Sequence, residues 1–249
     1  MTVHYSSVNR SPVRRAFFAC VAFALLLLAS ACATTTTPPL VRQLCYNPDR
    51  QLAALLQPLE ELRAKGCDNG IDQRDIPECD RLRFEIERLA VVCPGHAPTL
   101  MANAVIAYDE HQAVKAQQLL DEILAQSRPY PDAVVLRVRI AIEEGNVPFA
   151  RRLLDQHIKL APDHAGLHEA YGGILFLEGH LPEARRELTT AGALGAPRWR
   201  IAYHLGLVEE GSGRLDEARK FYAEALEGNP GWAPAQSRLN ALRAKDARP

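Results

Sequence analysis

Apolar residues recur along this chain on two different periods. From Asp49 to Lys65 the leucines fall at Leu52, Leu55, Leu56, Leu59 and Leu62, and from Glu78 to Val92 the spacing returns with Leu82, Ile86 and Leu89. Steps of three and four gather these side chains on one face of a 3.6-residue helix, so two amphipathic helices are expected, the first stopped by Gly66. Beyond residue 97 a longer period takes over. Ala116, Ala150, Ala184 and Ala218 stand 34 residues apart, and Leu120, Leu154, Leu188 and Tyr222 follow each of them by four. Gly145, Gly179 and Gly213 precede the later alanines by five, and Val147, Leu181 and Leu215 precede them by three. Pro148 and Pro182 sit where a second helix has its first turn, a position that tolerates a missing N–H. Each unit therefore reads as two helices. Small residues at a fixed phase let the helix backbones approach, and leucines at the other phases fill the space between them. One hairpin cannot bury its apolar face alone, so the units must stack into a solenoid.

A third apolar stretch fits neither period. Ala16 to Ala29 is an unbroken run, preceded by Arg10, Arg14 and Arg15 with no acid. This is the charged and apolar sequence of a signal peptide. Fourteen residues at 1.5 Å each reach roughly 21 Å, short of the ~30 Å hydrocarbon layer that a permanent spanning helix must cross. Composition adds two exclusions. Lys plus Arg number 29 against 30 Asp plus Glu, so no basic surplus draws in nucleic acid. Alanine occurs 37 times while Val, Ile and Thr never alternate strictly, which leaves a β architecture without support.

The 34-residue period, with Leu205, Gly206, Gly213, Leu215, Ala218, Tyr222, Ala225 and Pro230, resembles the tetratricopeptide repeat (TPR). In that family's phase the units run 97–130, 131–164, 165–198 and 199–232. The third carries Gly172, Gly179, Ala184, Leu188 and Ala191, whereas the first two place Asn103 and Arg137 where the pattern has an apolar residue. The resemblance implies an all-α, right-handed α-solenoid. Residues 44–96 become a degenerate leading hairpin, and 233–249 a capping helix and tail with Leu239 and Leu242 on its inner side. It also implies a concave groove lined by the first helix of each unit. Carried over by position, that groove holds Met101, Val105 and Tyr108; Val135, Arg139 and Ile142; Glu169, Gly173, Phe176 and Leu177; and Arg200, Tyr203, Leu207 and Glu210. Apolar and aromatic groups among a few charges suit a protein or peptide partner.

Cysteines refine the leading hairpin. If its helices run antiparallel, the start of the first lies beside the end of the second, which brings Cys45 near Cys93 and Cys67 near Cys79. Two disulfides are expected in an exported chain, each worth on the order of 3 kcal/mol. A zinc site built from the four thiolates is disfavoured, because no close CxxC pair occurs.

The signal segment ends in Leu28-Ala29-Ser30-Ala31-Cys32, which resembles the bacterial lipobox whose cysteine is acylated and becomes the mature N-terminus. The alternative is ordinary cleavage after Ala31. The lipobox resemblance implies a segment 1–31 that is removed, a tether 32–43 rich in Thr and Pro, and a lipid anchor on Cys32. Ala33, in place of Asp, implies sorting to the outer membrane, facing the periplasm. The layout is similar to that of small TPR lipoproteins that assist assembly of outer-membrane machines. A rival role is a structural adaptor for envelope or cell-wall enzymes that uses the convex face.

Enzymatic chemistry finds little in the sequence. No HExxH, phosphate loop, dinucleotide fingerprint or GxSxG elbow is present. His164 and His168, four apart, with His204 one unit on, are the one grouping that could gather a transition metal. Dispersed histidines on alanine-rich helices are more often solvated or capping groups. No cofactor, small-molecule substrate or catalytic residue is expected.

Overall fold

The same turn closes the first helix of every repeat. In the computed structural model, which describes residues 45–65 and 76–246, the backbone turns left-handed at Gly145 (φ 75°), Gly179 (φ 82°) and Gly213 (φ 77°). His111 occupies the equivalent place in the first unit with φ 59°, a conformation that costs a residue with a Cβ far more than it costs glycine. Each turn returns two amides to the preceding helix. Asn146 N–H reaches the Ala141 carbonyl at 2.7 Å, and Gly145 N–H reaches Ile142 at 2.9 Å. His180 with Leu175, and Gly179 with Phe176, repeat the arrangement at 2.8 and 3.0 Å. This double return is the Schellman closure, and it satisfies carbonyls that the helix end would otherwise leave bare.

Among the described residues eleven helices result, with no strand. The leading hairpin is α1 (Pro48–Ala64) and α2 (Ile76–Val92). The repeats follow as α3 (Ala97–Asp109) with α4 (Ala113–Leu124), and α5 (Pro131–Glu143) with α6 (Val147–His157). The third pair is α7 (Ala165–Leu177) and α8 (Leu181–Ala193), the fourth α9 (Arg198–Gly211) and α10 (Leu215–Gly228), and α11 (Ala233–Asp246) ends the array. Each helix packs on its hairpin partner, and each second helix packs on the first helix of the next unit. The first helices also touch one another, α1 with α3, α5 with α7 and α7 with α9, which forms the inner layer of the solenoid.

Within each repeat the small-residue phase sets how closely the pair packs. Ala116, Ala150, Ala184 and Ala218 are all fully buried. Opposite them the first helix carries Ala104, Val138, Gly172 and Gly206 at one phase. Both glycines are filled by the partner helix: a Cβ on Gly206 would lie 2.5 Å from Tyr222 Cε1, and one on Gly172 would lie 2.7 Å from Leu188 Cγ. At these two crossings the missing Cβ is what admits the partner side chain.

Polar residues join successive units. Asn103 is buried and its amide donates to the Ile86 carbonyl on the preceding second helix at 3.3 Å. Arg137, one period later and equally buried, donates to Asp121 at 2.9 Å and lies 4.5 Å over the Phe149 ring. Tyr171, one period later again, donates its hydroxyl to Asp155 at 2.8 Å. The two residues that break the family's apolar pattern thus reach back to the unit before. A second set of links crosses nearer the turns. Gln117 donates to Glu144 at 2.6 Å, Arg151 pairs with Glu178, and Arg185 pairs with Glu209. Glu209 is fully buried and also receives Arg214, so two guanidinium groups compensate one sequestered carboxylate.

At the leading hairpin, Cys45 and Cys93 are disulfide-bonded with their Cα atoms 5.2 Å apart. The bond joins the start of α1 to the end of α2, as the antiparallel reading requires, and closes a separation of 48 residues, worth about 4 kcal/mol in the chain-entropy picture. Cys79 is buried and disulfide-bonded, while Cys67, its expected partner, lies outside the described residues. The signal segment, Cys32 and the tether also lie outside them. No described helix is long and apolar enough to cross a membrane. The other end of the array is sealed by aromatic rings. Trp199 and Trp232 meet edge to face at 5.0 Å, and Tyr203 stands 6.0 Å from both Tyr222 and Trp232.

Candidate functional site: the inner groove

Because the first helices stand side by side, residues that recur every 34 positions line up across the inner layer. Three helices, α5, α7 and α9, enclose a hollow of ≈ 270 Å³. Its floor is apolar, built from Val135, Val138 and Ile142 on α5 and from Gly166, Ala170 and Gly173 on α7. Gly173 leaves the floor open, since a Cβ there would meet nothing within 4 Å. The rim is charged, with Arg139 and Glu143 on one side and Glu169, Arg200 and His204 on the other. The structure therefore brings together Val135, Arg139, Ile142, Glu169, Gly173 and Arg200 of the groove expected from the repeat phase.

Glu169 is the structural centre of this hollow. It is only 8% exposed, yet Arg200 grips both its oxygens, Nε at 2.5 Å and Nη2 at 2.7 Å, and His204 Nε2 approaches at 3.3 Å. Burial pushes the carboxyl upward, but the hydrogen bonds from His204 and Arg200 outweigh it and hold the group below its ordinary range. Glu169 is thus an ionised strut from α7 to α9 that orients Arg200 and His204 along the groove. Arg139 stands exposed at the opposite rim, beside the Tyr108 hydroxyl. That hydroxyl donates to Glu143, and burial together with this carboxylate raises its pKa.

Nearer the leading hairpin lie one mainly apolar hollow and one mainly charged hollow. Leu52, Leu56 and Leu59 of α1 face Met101, Val105 and Ile106 of α3 across a hollow of ≈ 380 Å³. A neighbouring hollow of ≈ 620 Å³ holds Tyr108 beside Arg63 and Asp109, which form an ion pair. The groove wall thus begins with α1, one hairpin earlier than the repeat phase places it. The leucine spacing in α1 carries the signal for this, but the same spacing equally describes a helix packed only on its hairpin partner.

Other expected residues are placed elsewhere. Tyr203 packs in the aromatic cluster with Tyr222 and Trp232, and Leu207 packs with Leu239 and Leu242 of α11. Glu210 accepts from the Tyr222 hydroxyl at 2.7 Å and lies 3.5 Å from Arg238. These three positions have the groove's phase, but α11 and its approach cover them in the last unit. Phe176 packs beside Leu181 and the core of the third and fourth units, and Leu177 is half exposed; neither lines the hollow between α5, α7 and α9. The histidines do not converge. His164 stands at the N-terminal boundary of α7, without a capping hydrogen bond from its ring, and lies 3.1 Å from Asp132; His168 bridges Glu187 and the Pro162 carbonyl at 2.7 Å each, and His204 serves Glu169. Among the described residues no three His, Cys, Asp or Glu side chains are grouped to hold a metal ion.

Comparison with known proteins agrees with this geometry. A family model described as the tetratricopeptide repeat matches residues 107–172. The solved structure of TTC0263, a thermophilic TPR protein of Thermus thermophilus, superposes with a TM-score of 0.61 at 20% identity, covering 78% of this chain and 99% of that one. The APC/C hetero-tetramer Cut9–Hcn1 superposes at 0.63 with 13% identity, covering 92% of this chain but 46% of the other. No curated protein matches the sequence. The fold is a TPR α-solenoid.

Proposed function

We propose that this chain is a protein-interaction scaffold of the bacterial envelope, exported, anchored by lipid on Cys32 to the inner face of the outer membrane, and holding a partner polypeptide in its inner groove. The observation that carries the groove reading is the hollow shared by α5, α7 and α9, with an apolar floor and a rim held in place by Glu169. An apolar anchor of a peptide enters such a floor while its backbone or polar side chains meet the rim. TPR solenoid architecture supports the scaffold role, and the signal segment with Cys32 supports the anchor.

The experiment is photocrosslinking in living cells from full-length protein carrying p-benzoylphenylalanine in place of Val135 or Ile142, with the exposed Arg152 on α6 and Lys159 in the turn after it as controls. A defined polypeptide adduct from the inner positions is expected, and Gly173→Phe, which fills the open floor, abolishes it. Adducts confined to Arg152 and Lys159 would overturn the groove and favour the convex-face adaptor. Palmitate labelling that is lost in Cys32→Ser tests the anchor separately.

A further inference from the structure

The solvent-facing side of the leading hairpin carries two large apolar side chains on one face of α2. On the second helices and the turns that end them, two outward positions recur each period. The first reads Phe84, Gln118, Arg152, Arg186 and Lys220; the second reads Val91, Ala125, Lys159, Ala193 and Glu227. All are exposed. From the first repeat onward these two positions carry polar, charged or methyl side chains, while Val114 and Leu160 are exposed at other phases. Only α2 places large apolar groups there, Phe84 at 61% and Val91 at 75% exposure, seven residues apart and so on one face of the helix. Tyr46, 79% exposed, adjoins Cys45, whose disulfide holds it near Cys93 at the Val91 end of α2.

The cations on this face are already neutralised. Arg81 pairs with Glu78 at 2.6 Å and Arg88 with Glu85 at 2.7 Å, so Phe84 and Val91 lie among internally compensated ion pairs. Held at the depth of the headgroups these exposed pairs keep their water, so only the apolar side chains between them need enter the lipid. Chain connectivity puts that surface within reach. Cys32 lies thirteen residues before Cys45, a span of at most ~45 Å. A tether of that length holds the hairpin at high effective concentration over its attachment point, so a weak contact suffices. Tyrosine and phenylalanine beside compensated charges are also the side chains that settle at the boundary between headgroups and acyl chains.

We propose that Tyr46, Phe84 and Val91 form a membrane-contact pad that lays the leading hairpin on the lipid surface and so turns the inner groove of the repeats outward from the bilayer. The pad rests on the anchored reading of Cys32.

The test uses the full-length protein in a Gram-negative host, with p-benzoylphenylalanine in place of Phe84 or Val91 and, as same-phase controls, of Arg152 or Lys159. After irradiation, lipid adducts are quantified by mass spectrometry, and palmitate on Cys32 is measured in the same samples. The expected result is a several-fold excess of lipid adducts at positions 84 and 91 over 152 and 159. With palmitate present, equal yields at all four positions, or adducts from 84 to another protein or a second copy, would overturn the pad while leaving the anchor standing. Absence of palmitate would overturn the anchor, and the pad with it.

Discussion

Two neighbouring glycines in α7 should respond oppositely to the same substitution. Gly172 and Gly173 share a helix interior, where alanine is favoured over glycine by about 1 kcal/mol. What differs is the space that a methyl group would enter. At Gly173 nothing lies within 4 Å, so Gly173→Ala keeps the full propensity gain and stabilises the protein by about 1 kcal/mol. At Gly172 the added Cβ falls 2.7 Å from Leu188 Cγ and 3.2 Å from the Ala184 carbonyl oxygen. Leu188 is 1% exposed and has nowhere to go, and the carbonyl belongs to a helix. Overpacking of this kind costs about 2 kcal/mol, which leaves Gly172→Ala destabilised by about 1 kcal/mol after the propensity gain. The two variants should therefore differ by about 2 kcal/mol, or roughly 6 °C in melting temperature for a domain of this size. Urea unfolding followed by far-ultraviolet circular dichroism measures the difference directly. Midpoints that move in the same direction by the same amount would refute the view that the Gly172 phase exists to admit Leu188.

Further substitutions test other parts of the array. His111→Gly relieves a left-handed turn that the other three repeats assign to glycine, and should raise stability by about 1 kcal/mol in the same urea assay. Glu209→Gln leaves Arg185 and Arg214, both about half exposed, facing a neutral group and should cost only about 1 kcal/mol; an unchanged midpoint would mean the pairing is energetically idle. Reduction of the Cys45–Cys93 bond should lower stability by up to ~4 kcal/mol, with hydrogen exchange accelerating first in α1 and α2. His157 is held below its ordinary pKa of 6.5 by burial, so the unfolded chain binds its proton first and stability falls as pH drops through 6.5. His157→Gln should flatten that part of the stability profile, as thermal melts across roughly pH 5 to 7.5 would reveal.

Much of the backbone plan is legible from residue spacing. The glycine phase at 145, 179 and 213 marks a turn that the structure also makes at His111, so the period predicts the conformation even where the residue type does not. The alanine phase likewise marks the helix crossings. Side-chain placement is less legible, because one spacing serves two environments. Tyr203, Leu207 and Glu210 have the groove's phase, but they lie in the unit that α11 closes, and a helix as rich in polar residues as α11 does not advertise how much it covers. Asn103 and Arg137 look like defects in an apolar pattern until the preceding helix supplies the Ile86 carbonyl and Asp121. Both partners lie a full helix away in sequence, and no local pattern points to them. The same is true of Glu169, whose burial makes sense only beside Arg200 and His204, more than thirty residues on.

The two ends of the molecule differ in a way that suits observation. Both tryptophans of the chain sit in the terminal unit with their rings 5.0 Å apart, while the covalent clasp between Cys45 and Cys93 is at the opposite extremity. The protein thus carries a native optical beacon on the end away from its crosslink. Indole emission will signal loosening of that tip before the clasped end yields, whereas a backbone signal averages over the whole length, and the lag between the two is a direct reading of how far cooperativity travels along the stack.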